Sequence, residues 1–292
     1  MQHRYVTLWG KNLNLSQPFP IQQNSGGTVA SLTQKFLSQL HVRIEPIENP
    51  VGLDYPTANK LACFCLPTSR RMRVFVDSDL LCLKPFNPDE LRPGCLNAKP
   101  ADLATWGSED QWKIAYQAAG VSFPAHALVR TTVSGELMRP YFNAGFIAVD
   151  SVLDFGQAWI QSALAIEKQT EITNKRPWLD QIALPIAAVR LGIGFHCLTE
   201  HFNFPAHLKP LDPGSLPAFC HYHFPEVLKK NPILSRFLVE LSEEFPLLPD
   251  LMKGKPGWES LARLNGEKPI ALALAFPAIF AISSPTLWKG FS

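Results

Sequence analysis

The order of apolar and polar residues along the chain predicts alternating helices and strands. Apolar residues recur at helical spacing over residues 28–40, 157–168 and 178–191. Short apolar runs of the kind found in strands occupy residues 73–76 and 142–150. Because strands and helices alternate, the pattern predicts an α/β sheet built of crossover units.

Weaker patterns predict the remaining elements. A first strand is expected at residues 5–9, followed by a loop over residues 12–27 that is rich in Asn, Ser, Pro and Gly. Further strands are predicted at 42–47, 196–198 and 218–223, and further helices at 57–66 and 233–244. The helical patterns beyond residue 230 indicate an α-helical appendage.

Composition narrows the class of protein. The chain has 292 residues, of which 46% are hydrophobic, so it can bury a large core and is not disordered over most of its length. A net charge of +2, without a basic cluster interleaved with aromatics, argues against a nucleic-acid partner. The six cysteines form no C-x-x-C pair and no secretory signal opens the chain, so we expect reduced thiols in a cytoplasmic protein.

An apolar segment near the end of the chain allows three interpretations. Residues 270–287 are apolar and flanked by basic residues, but Pro277 and Pro285 interrupt them. The first interpretation is a tail packed on the core or covered by a partner. The second is a peripheral contact with the cytoplasmic face of a membrane, and the third is a membrane span.

Two acidic residues directly follow one predicted strand. Asp77 and Asp79 flank Ser78 just beyond the apolar run 73–76. In extended backbone, residues two apart project to the same side, so the carboxylates are expected to converge at the edge of the sheet where α/β folds bind ligands. Converging carboxylates repel unless a cation neutralises them, and oxygen ligands suit Mn²⁺ or Mg²⁺. In the structural alternative, Asp77 caps a turn and Asp79 is a solvated surface carboxylate.

Five segments, in order, resemble a known enzyme family. Residues 74–81, followed by Lys84-Pro85-Phe86, resemble the DxD segment of glycogenin-like and lipopolysaccharide galactosyltransferase-like enzymes. The other four segments are Asn-Lys-Leu at 59–61, Phe-Asn-Ala-Gly-Phe at 142–146, Trp-Leu-Asp-Gln at 178–181 and His-Tyr-His at 221–223. The resemblance implies a single mixed-sheet α/β domain of the glycosyltransferase A fold over residues 1–230. A C-terminal helical and apolar appendage would then occupy residues 231–292.

The resemblance also implies roles for individual residues. Donor-binding positions would be Lys60, Asp77, Ser78, Asp79, Asn143, Ala144 and Gly145. Asp180 and Gln181 would orient the donor sugar at the reacting carbon. Mn²⁺ or Mg²⁺ would be held by Asp77, Asp79 and His221, with His223 as the second candidate histidine. The implied activity is transfer of a sugar from a nucleotide-diphosphate donor to a hydroxyl of a glycan, lipid or protein. The resemblance favours a UDP-sugar as the donor and retention of the anomeric configuration.

Each of these residues also has a structural interpretation. Lys60 would be a solvated helix cation, Asn143 would satisfy backbone groups in a bulge, and Asp180 would complement a helix dipole. His221 would be a satisfied core histidine. Asn203 matches a further family position only loosely.

Departures from the family pattern leave two other functions open. The family's first strand normally carries residues that bind the uracil base of the nucleotide, and these are not found at 5–9. Phe224-Pro225-Glu226 replaces a family glycine, and Ile182 stands where the family commonly has a second Asp. A degenerate, noncatalytic sugar-nucleotide-binding protein is therefore the first alternative to an enzyme. A haloacid-dehalogenase-type phosphatase is the second, although such enzymes usually have Thr or Val where Leu81 stands.

Overall fold

The computed structural model describes residues 20–23, 31–40, 42–125, 128–253, 255 and 257–262. The strand predicted at 5–9 and the apolar segment 270–287 lie outside these residues. The strands are β1 (Pro20–Gln23), β2 (Arg43–Pro46), β3 (Met72–Val76), β4 (Leu80–Cys82), β5 (Cys95–Pro100), β6 (Val129–Arg130), β7 (Leu137–Met138), β8 (Phe142–Asp150), β9 (Gly194–Cys197), β10 (Phe204–Pro205) and β11 (Phe219–His221). The helices are α1 (Ser31–Gln39), α2 (Asn59–Cys63), α3 (Glu109–Ala118), α4 (Phe155–Lys168), α5 (Leu179–Arg190), α6 (Pro225–Lys230), α7 (Pro232–Glu244), α8 (Leu248–Met252) and α9 (Glu259–Ala262).

The central sheet has the strand order β3-β8-β5-β9 and is mixed. β8 runs antiparallel to both β3 and β5, whereas β5 and β9 are parallel. Buried residues of β8 include Phe146, Ile147 and Ala148, because both faces of this strand are covered. The structure therefore confirms the predicted mixed α/β class, and β8 has the boundaries that its apolar pattern predicts. The expectation that crossover units build the whole sheet is too simple, since the contacts of β8 are antiparallel.

A second, smaller sheet lies beside the first, with the order β10-β11-β4. β4 pairs antiparallel with β11, and Cys220 lies opposite Leu81. Since β3 belongs to the central sheet and β4 to the small one, the chain passes between the sheets at residues 77–79. The acidic sequence thus occupies the crossing between two sheets.

Helices α4 and α5 pack together against the central sheet. Trp159 of α4 is fully buried, and its indole nitrogen donates to the carbonyl of Asp180, at 2.9 Å. Phe64, which follows α2, contacts Trp159 and Phe155 edge to face. This packing ties α2, which carries Lys60, to the first turn of α5.

The C-terminal helices α6 to α9 pack on the small sheet. Leu228, Leu234 and Leu238 share a buried cluster with Leu81 and Cys220 of that sheet. The predicted helical C-terminal part is therefore present and lies directly behind the strands that carry the acidic and histidine residues. In the described residues, no helix combines the length and apolar character needed to cross a membrane.

Two local predictions need correction, and one strand of the central sheet was not predicted. The loop predicted over 12–27 contains β1, which pairs in parallel with β2. The helix predicted at 57–66 begins as a 3₁₀ turn, Pro56–Ala58, before α2. The pattern also missed β5, because Asn97, Lys99 and Pro100 interrupt its apolar sequence. Asn97 and Lys99 are nevertheless fully buried, since partners elsewhere in the fold satisfy their polar groups.

Candidate metal and donor site

A tight turn carries Asp77, Ser78 and Asp79 from β3 to β4. The backbone N–H of Asp77 donates to the carbonyl of Gly145 in β8, at 2.8 Å, and the N–H of Leu80 donates to the carbonyl of Asp77, at 3.2 Å. The hydroxyl of Tyr222 donates to the carbonyl of Ser78, at 3.4 Å. The backbone therefore turns here, whereas an extended backbone was expected from the sequence. Each carboxylate instead has its own set of partners.

Asp77 faces a buried lysine. Nζ of Lys60 lies 3.0 Å from Oδ2 of Asp77 and 3.2 Å from Oδ2 of Asp180, and it donates to the carbonyl of Ala144, at 3.4 Å. The lysine is only 6% exposed, so the interpretation of Lys60 as a solvated helix cation is wrong. Burial works to lower the pKa of Lys60, but the charges of Asp77 and Asp180 outweigh it and raise that pKa. Lys60 therefore stays protonated between the two carboxylates.

The carboxylate of Asp77 is held less firmly in its charged form. Burial raises the pKa of Asp77, the Lys60 charge opposes this, and the nearby charge of Asp79 adds to the rise. Asp180, in the first turn of α5, is 1% exposed and accepts a hydrogen bond from the hydroxyl of Tyr55, at 2.8 Å. Gln181 beside it is half-buried. The structure thus joins Lys60, Asp77 and Asp180 in one buried charged cluster.

Asp79 faces two histidines instead of the lysine. Its Oδ2 lies 3.1 Å from Nε2 of His221 and 3.3 Å from Nδ1 of His223. The two imidazole rings are stacked with their centroids 3.8 Å apart. A third ring, that of His207, lies edge-on to His223 at a centroid distance of 4.1 Å. Burial works to raise the pKa of Asp79, but the two histidines outweigh it and lower that pKa, so Asp79 is an anion.

The residues around Asp79 fit a divalent cation. One possible ligand atom from each of Asp79, His221 and His223 lies within 4.8 Å of the others. Nε2 of His221 is buried and has no aligned hydrogen-bond partner, which leaves it available as a ligand. One carboxylate with two imidazoles suits Mn²⁺ better than Mg²⁺, which prefers an all-oxygen shell. Asp77 is not one of these three residues, and its Oδ2 lies 3.0 Å from Nζ of Lys60.

His223 has an unusual backbone conformation. Its φ angle is +54°, in the left-handed region that residues with a side chain rarely adopt. Such a conformation costs free energy and persists only where surrounding contacts hold it. Here it places Nδ1 of His223 next to Asp79.

A second group of polar residues lies on the far side of His221. Nδ1 of His221 lies 3.0 Å from Oδ1 of Asn203, whose Nδ2 donates to Oδ1 of Asn143, at 2.9 Å. Nδ2 of Asn143 donates to Asp102, at 3.0 Å, and Asp102 is paired with the buried Lys99. The interpretation that Asn143 satisfies a backbone group also holds, since its Oδ1 accepts from the N–H of Gly145, at 2.9 Å.

Sequence reasoning missed three residues of this site and left one in doubt. Asp102, Lys99 and His207 were not singled out, and Asn203 was matched only loosely. The usable signal for Lys99 and Asp102 was an Asp three residues after a Lys in an otherwise apolar segment. That signal is weak, because a Lys and an Asp at this spacing most often form an exposed pair such as Asp110 with Lys113.

Comparison with known proteins supplies a family. The chain matches the family described as the Rhodobacterales glycosyltransferase domain over residues 9–192, which is more than half of its length. This range contains Lys60, Asp77, Asp79 and Asp180 but ends before His221. No curated protein matches the chain. Among solved structures, one of the galactosyltransferase LgtC in complex with donor and acceptor sugar analogues is 15% identical, covers 78% of this chain and 86% of its own, and has a TM-score of 0.46.

Proposed function

The chain belongs to the Rhodobacterales glycosyltransferase domain family, and from this premise we propose that it is a metal-dependent glycosyltransferase using a nucleotide-diphosphate sugar. UDP-sugar is the first donor to test, and the acceptor is a hydroxyl of a glycan, lipid or protein. The observation that carries the proposal is the grouping of Asp79, His221 and His223 beside the buried Lys60 cluster. Family membership favours a transferase over the haloacid-dehalogenase-type phosphatase considered from the sequence.

We assign the metal to Asp79, His221 and His223. A divalent cation bound there would neutralise negative charge that develops on the diphosphate leaving group. Asp79 contributes an anionic oxygen, and the two histidines contribute neutral nitrogens, of which Nε2 of His221 has no other aligned partner. Asp77 adds negative charge next to this site, and its carboxylate is held in position by Lys60. Mn²⁺ is the ion that we expect to bind more tightly than Mg²⁺.

We assign the donor sugar to the start of α5 and to the start of β8. One oxygen of Asp180 accepts a hydrogen bond from Tyr55, and the other pairs with Lys60. Asp180 would therefore hold neighbouring residues in position without contacting the sugar itself. Gln181 is half-buried and is the better candidate for direct contact with the sugar. Beside Asn143, the methyl side chain of Ala144 would let a ligand approach the backbone, whereas the space at Gly145 is taken by Asn203 and His221. Such contacts would orient the sugar toward an acceptor hydroxyl.

A thermal-shift panel tests this function. Nucleoside diphosphates and their sugars are each added with Mn²⁺, with Mg²⁺ and with a chelator. A ligand at about 100 times its dissociation constant adds roughly 2.7 kcal/mol to stability. For a chain of this size, that should raise the melting temperature by about 5 °C or more. If no nucleoside diphosphate gives a shift that the chelator abolishes, the proposal is wrong.

Turnover distinguishes an enzyme from a noncatalytic binding protein. The donor that gives the largest metal-dependent shift is incubated with the protein, and release of nucleoside diphosphate is followed with and without candidate acceptors. A glycosyltransferase releases nucleoside diphosphate faster when its acceptor is present. Binding without release under any acceptor would instead support the degenerate sugar-nucleotide-binding protein.

A further inference from the structure

A continuous line of hydrogen bonds connects Asp102 to His221. Oδ2 of Asp102 accepts from Nδ2 of Asn143, at 3.0 Å, and Oδ1 of Asn143 accepts from Nδ2 of Asn203, at 2.9 Å. Oδ1 of Asn203 then lies 3.0 Å from Nδ1 of His221. The line runs from just beyond β5, through β8 and the residue before β10, to β11, and so it links four separate segments of the chain.

The direction of these hydrogen bonds follows from the chemistry at one end. An ionised carboxylate can only accept, so Asp102 requires the amide nitrogen of Asn143 to face it. Burial works to raise the pKa of Asp102, but the paired charge of Lys99 outweighs it and lowers that pKa, so Asp102 is ionised. With its nitrogen facing Asp102, Asn143 turns its oxygen toward Asn203. Asn203 must then donate to Asn143 and turn its own oxygen toward His221.

The backbone reinforces this direction. Oδ1 of Asn143 also accepts from the N–H of Gly145, at 2.9 Å, and a backbone N–H can only donate. A flipped Asn143 amide would therefore place two donors against each other at Gly145 and two acceptors against each other at Asp102. Both contacts oppose the flip, so the orientation of Asn143 is set from two sides.

We propose that Asp102, acting through Asn143 and Asn203, holds His221 in the tautomer with the proton on Nδ1. In that tautomer Nε2 carries a lone pair, and it faces Oδ2 of Asp79 at 3.1 Å. Two electron-rich atoms at this distance repel each other, and a cation coordinated by both would remove that repulsion. Asn143 and Asn203 are positioning residues in this account, and the metal ligand that they prepare is the one assigned in the proposed function, on which this inference rests.

Close packing around Gly145 supports the same arrangement. A Cβ atom at position 145 would lie 2.8 Å from Nδ2 of Asn203, 3.1 Å from Oδ1 of Asn143 and 3.1 Å from Cε1 of His221. Any side chain at this position would displace one of the three. The absence of a side chain on Gly145 thus allows the line of hydrogen bonds to pass across β8.

A metal-free measurement tests the tautomer directly. Long-range ¹H–¹⁵N correlation of the ¹⁵N-labelled protein is recorded with chelator present, at a pH where the imidazole of His221 is neutral, and His221→Gln assigns its signals. The expected result is a protonated Nδ1 and an unprotonated Nε2. A proton on Nε2 in the wild-type protein would overturn the inference, whatever the protein's activity.

Metal titration then tests the positioning residues. Mn²⁺ alone is titrated into the wild type, Asn203→Asp and Asn203→Ala by calorimetry. Asn203→Asp keeps an acceptor for Nδ1 of His221 but loses the donor to Asn143, so it should lower stability while keeping Mn²⁺ affinity within about threefold. Asn203→Ala removes the acceptor and should weaken Mn²⁺ binding by about 10–100-fold, the usual effect of losing a group that orients a ligand.

A control variant separates loss of stability from loss of Mn²⁺ affinity. Asn231 caps α7 through its Oδ1, so Asn231→Ala should cost about 1 kcal/mol of stability without changing Mn²⁺ affinity. Equal Mn²⁺ affinity in the wild type and in Asn203→Ala would overturn the positioning role, and so would equal losses in both Asn203 variants. Absence of Mn²⁺ binding in the wild type would contradict the proposed function instead, and the tautomer measurement would still decide the inference. If Asn203→Ala does not fold, Asn203→Ser replaces it.

Discussion

Nζ of Lys60 lies 3.0 Å from Oδ2 of Asp77, so the first carboxylate of the Asp-Ser-Asp turn is paired with a buried ammonium group. The second carboxylate, that of Asp79, faces His221 and His223. The two aspartates therefore have different electrostatic surroundings only two residues apart. One carboxylate belongs to a charged cluster inside the protein, and the other is available to a cation.

Replacing Lys60 with Met should destabilise the metal-free protein by about 3–5 kcal/mol, because Asp77 and Asp180 would remain buried without a counter-charge. Urea unfolding at neutral pH measures this loss. Lys113→Met removes an exposed ion pair with Asp110 and should change stability by no more than about 1 kcal/mol. Adding Asp77→Asn to Lys60→Met should recover part of the loss, and a double variant as unstable as the single one would contradict the pairing.

The Lys60→Met penalty should depend on pH in a defined direction. Burial raises the pKa of Asp77 in the folded protein, so the folded state binds a proton more readily than the unfolded chain does. Stability from this group is complete below the unfolded pKa and declines as pH rises through the folded pKa. Lys60→Met removes the charge that opposes the rise in the pKa of Asp77, so this pKa should rise further in the variant. The loss of stability caused by Lys60→Met should therefore shrink as the pH falls through the range just above the ordinary aspartate pKa, because Asp77 is then neutral. Unfolding curves across that range measure it, and a constant penalty would contradict it.

Replacing Asp79 with Asn should abolish metal-dependent binding of nucleoside diphosphate. Donor turnover should fall by several orders of magnitude, because metal-borne charge is asked to supply several kcal/mol. Asp89→Asn, on an exposed residue, is the control, and undiminished Mn²⁺ binding by the Asp79 variant would refute the site.

His223→Gly should separate stability from metal binding. Glycine adopts the left-handed backbone without strain, which offsets the lost ring contact with His221, so stability should change by less than about 1 kcal/mol. Mn²⁺ affinity should fall at least tenfold, because one ligand is lost. Asn174 also has a positive φ, so Asn174→Gly tests the backbone effect away from this ligand group. Unchanged Mn²⁺ affinity in His223→Gly would remove His223 from the ligand set.

Gln181→Ala should leave the metal-dependent thermal shift with nucleoside diphosphate within about 1 °C of the wild type. Transfer of the sugar should nevertheless fall sharply, because Gln181 is assigned to the sugar rather than to the diphosphate. Steady-state kinetics with the best donor measures this separation. Parallel losses of nucleotide binding and transfer would assign Gln181 to the scaffold at the start of α5.

The sequence alone determined those helices and strands in which apolar residues recur at regular spacing. β8, α4 and α5 were predicted within two residues, because burial on one or both faces imposes a regular apolar sequence. The position of Asp77–Asp79 just beyond β3 followed for the same reason. β5 was not predicted, because two of its buried residues, Asn97 and Lys99, are polar. Burying such side chains costs free energy, and here hydrogen bonds to other segments of the chain offset that cost.

Tertiary structure decided which side chains act together. The family resemblance implied that Asp77 and Asp79 share one metal site with His221. The fold adds that Oδ2 of Asp77 pairs with Lys60, and that Asp79 lies beside both His221 and His223. It also brings Asp102, Asn143 and Asn203 into line behind His221. Periodicity reports only how a residue relates to those a few positions away. Side chains from separate strands and helices come within hydrogen-bonding distance only when the elements that carry them pack together, so the identity of their partners depends on packing.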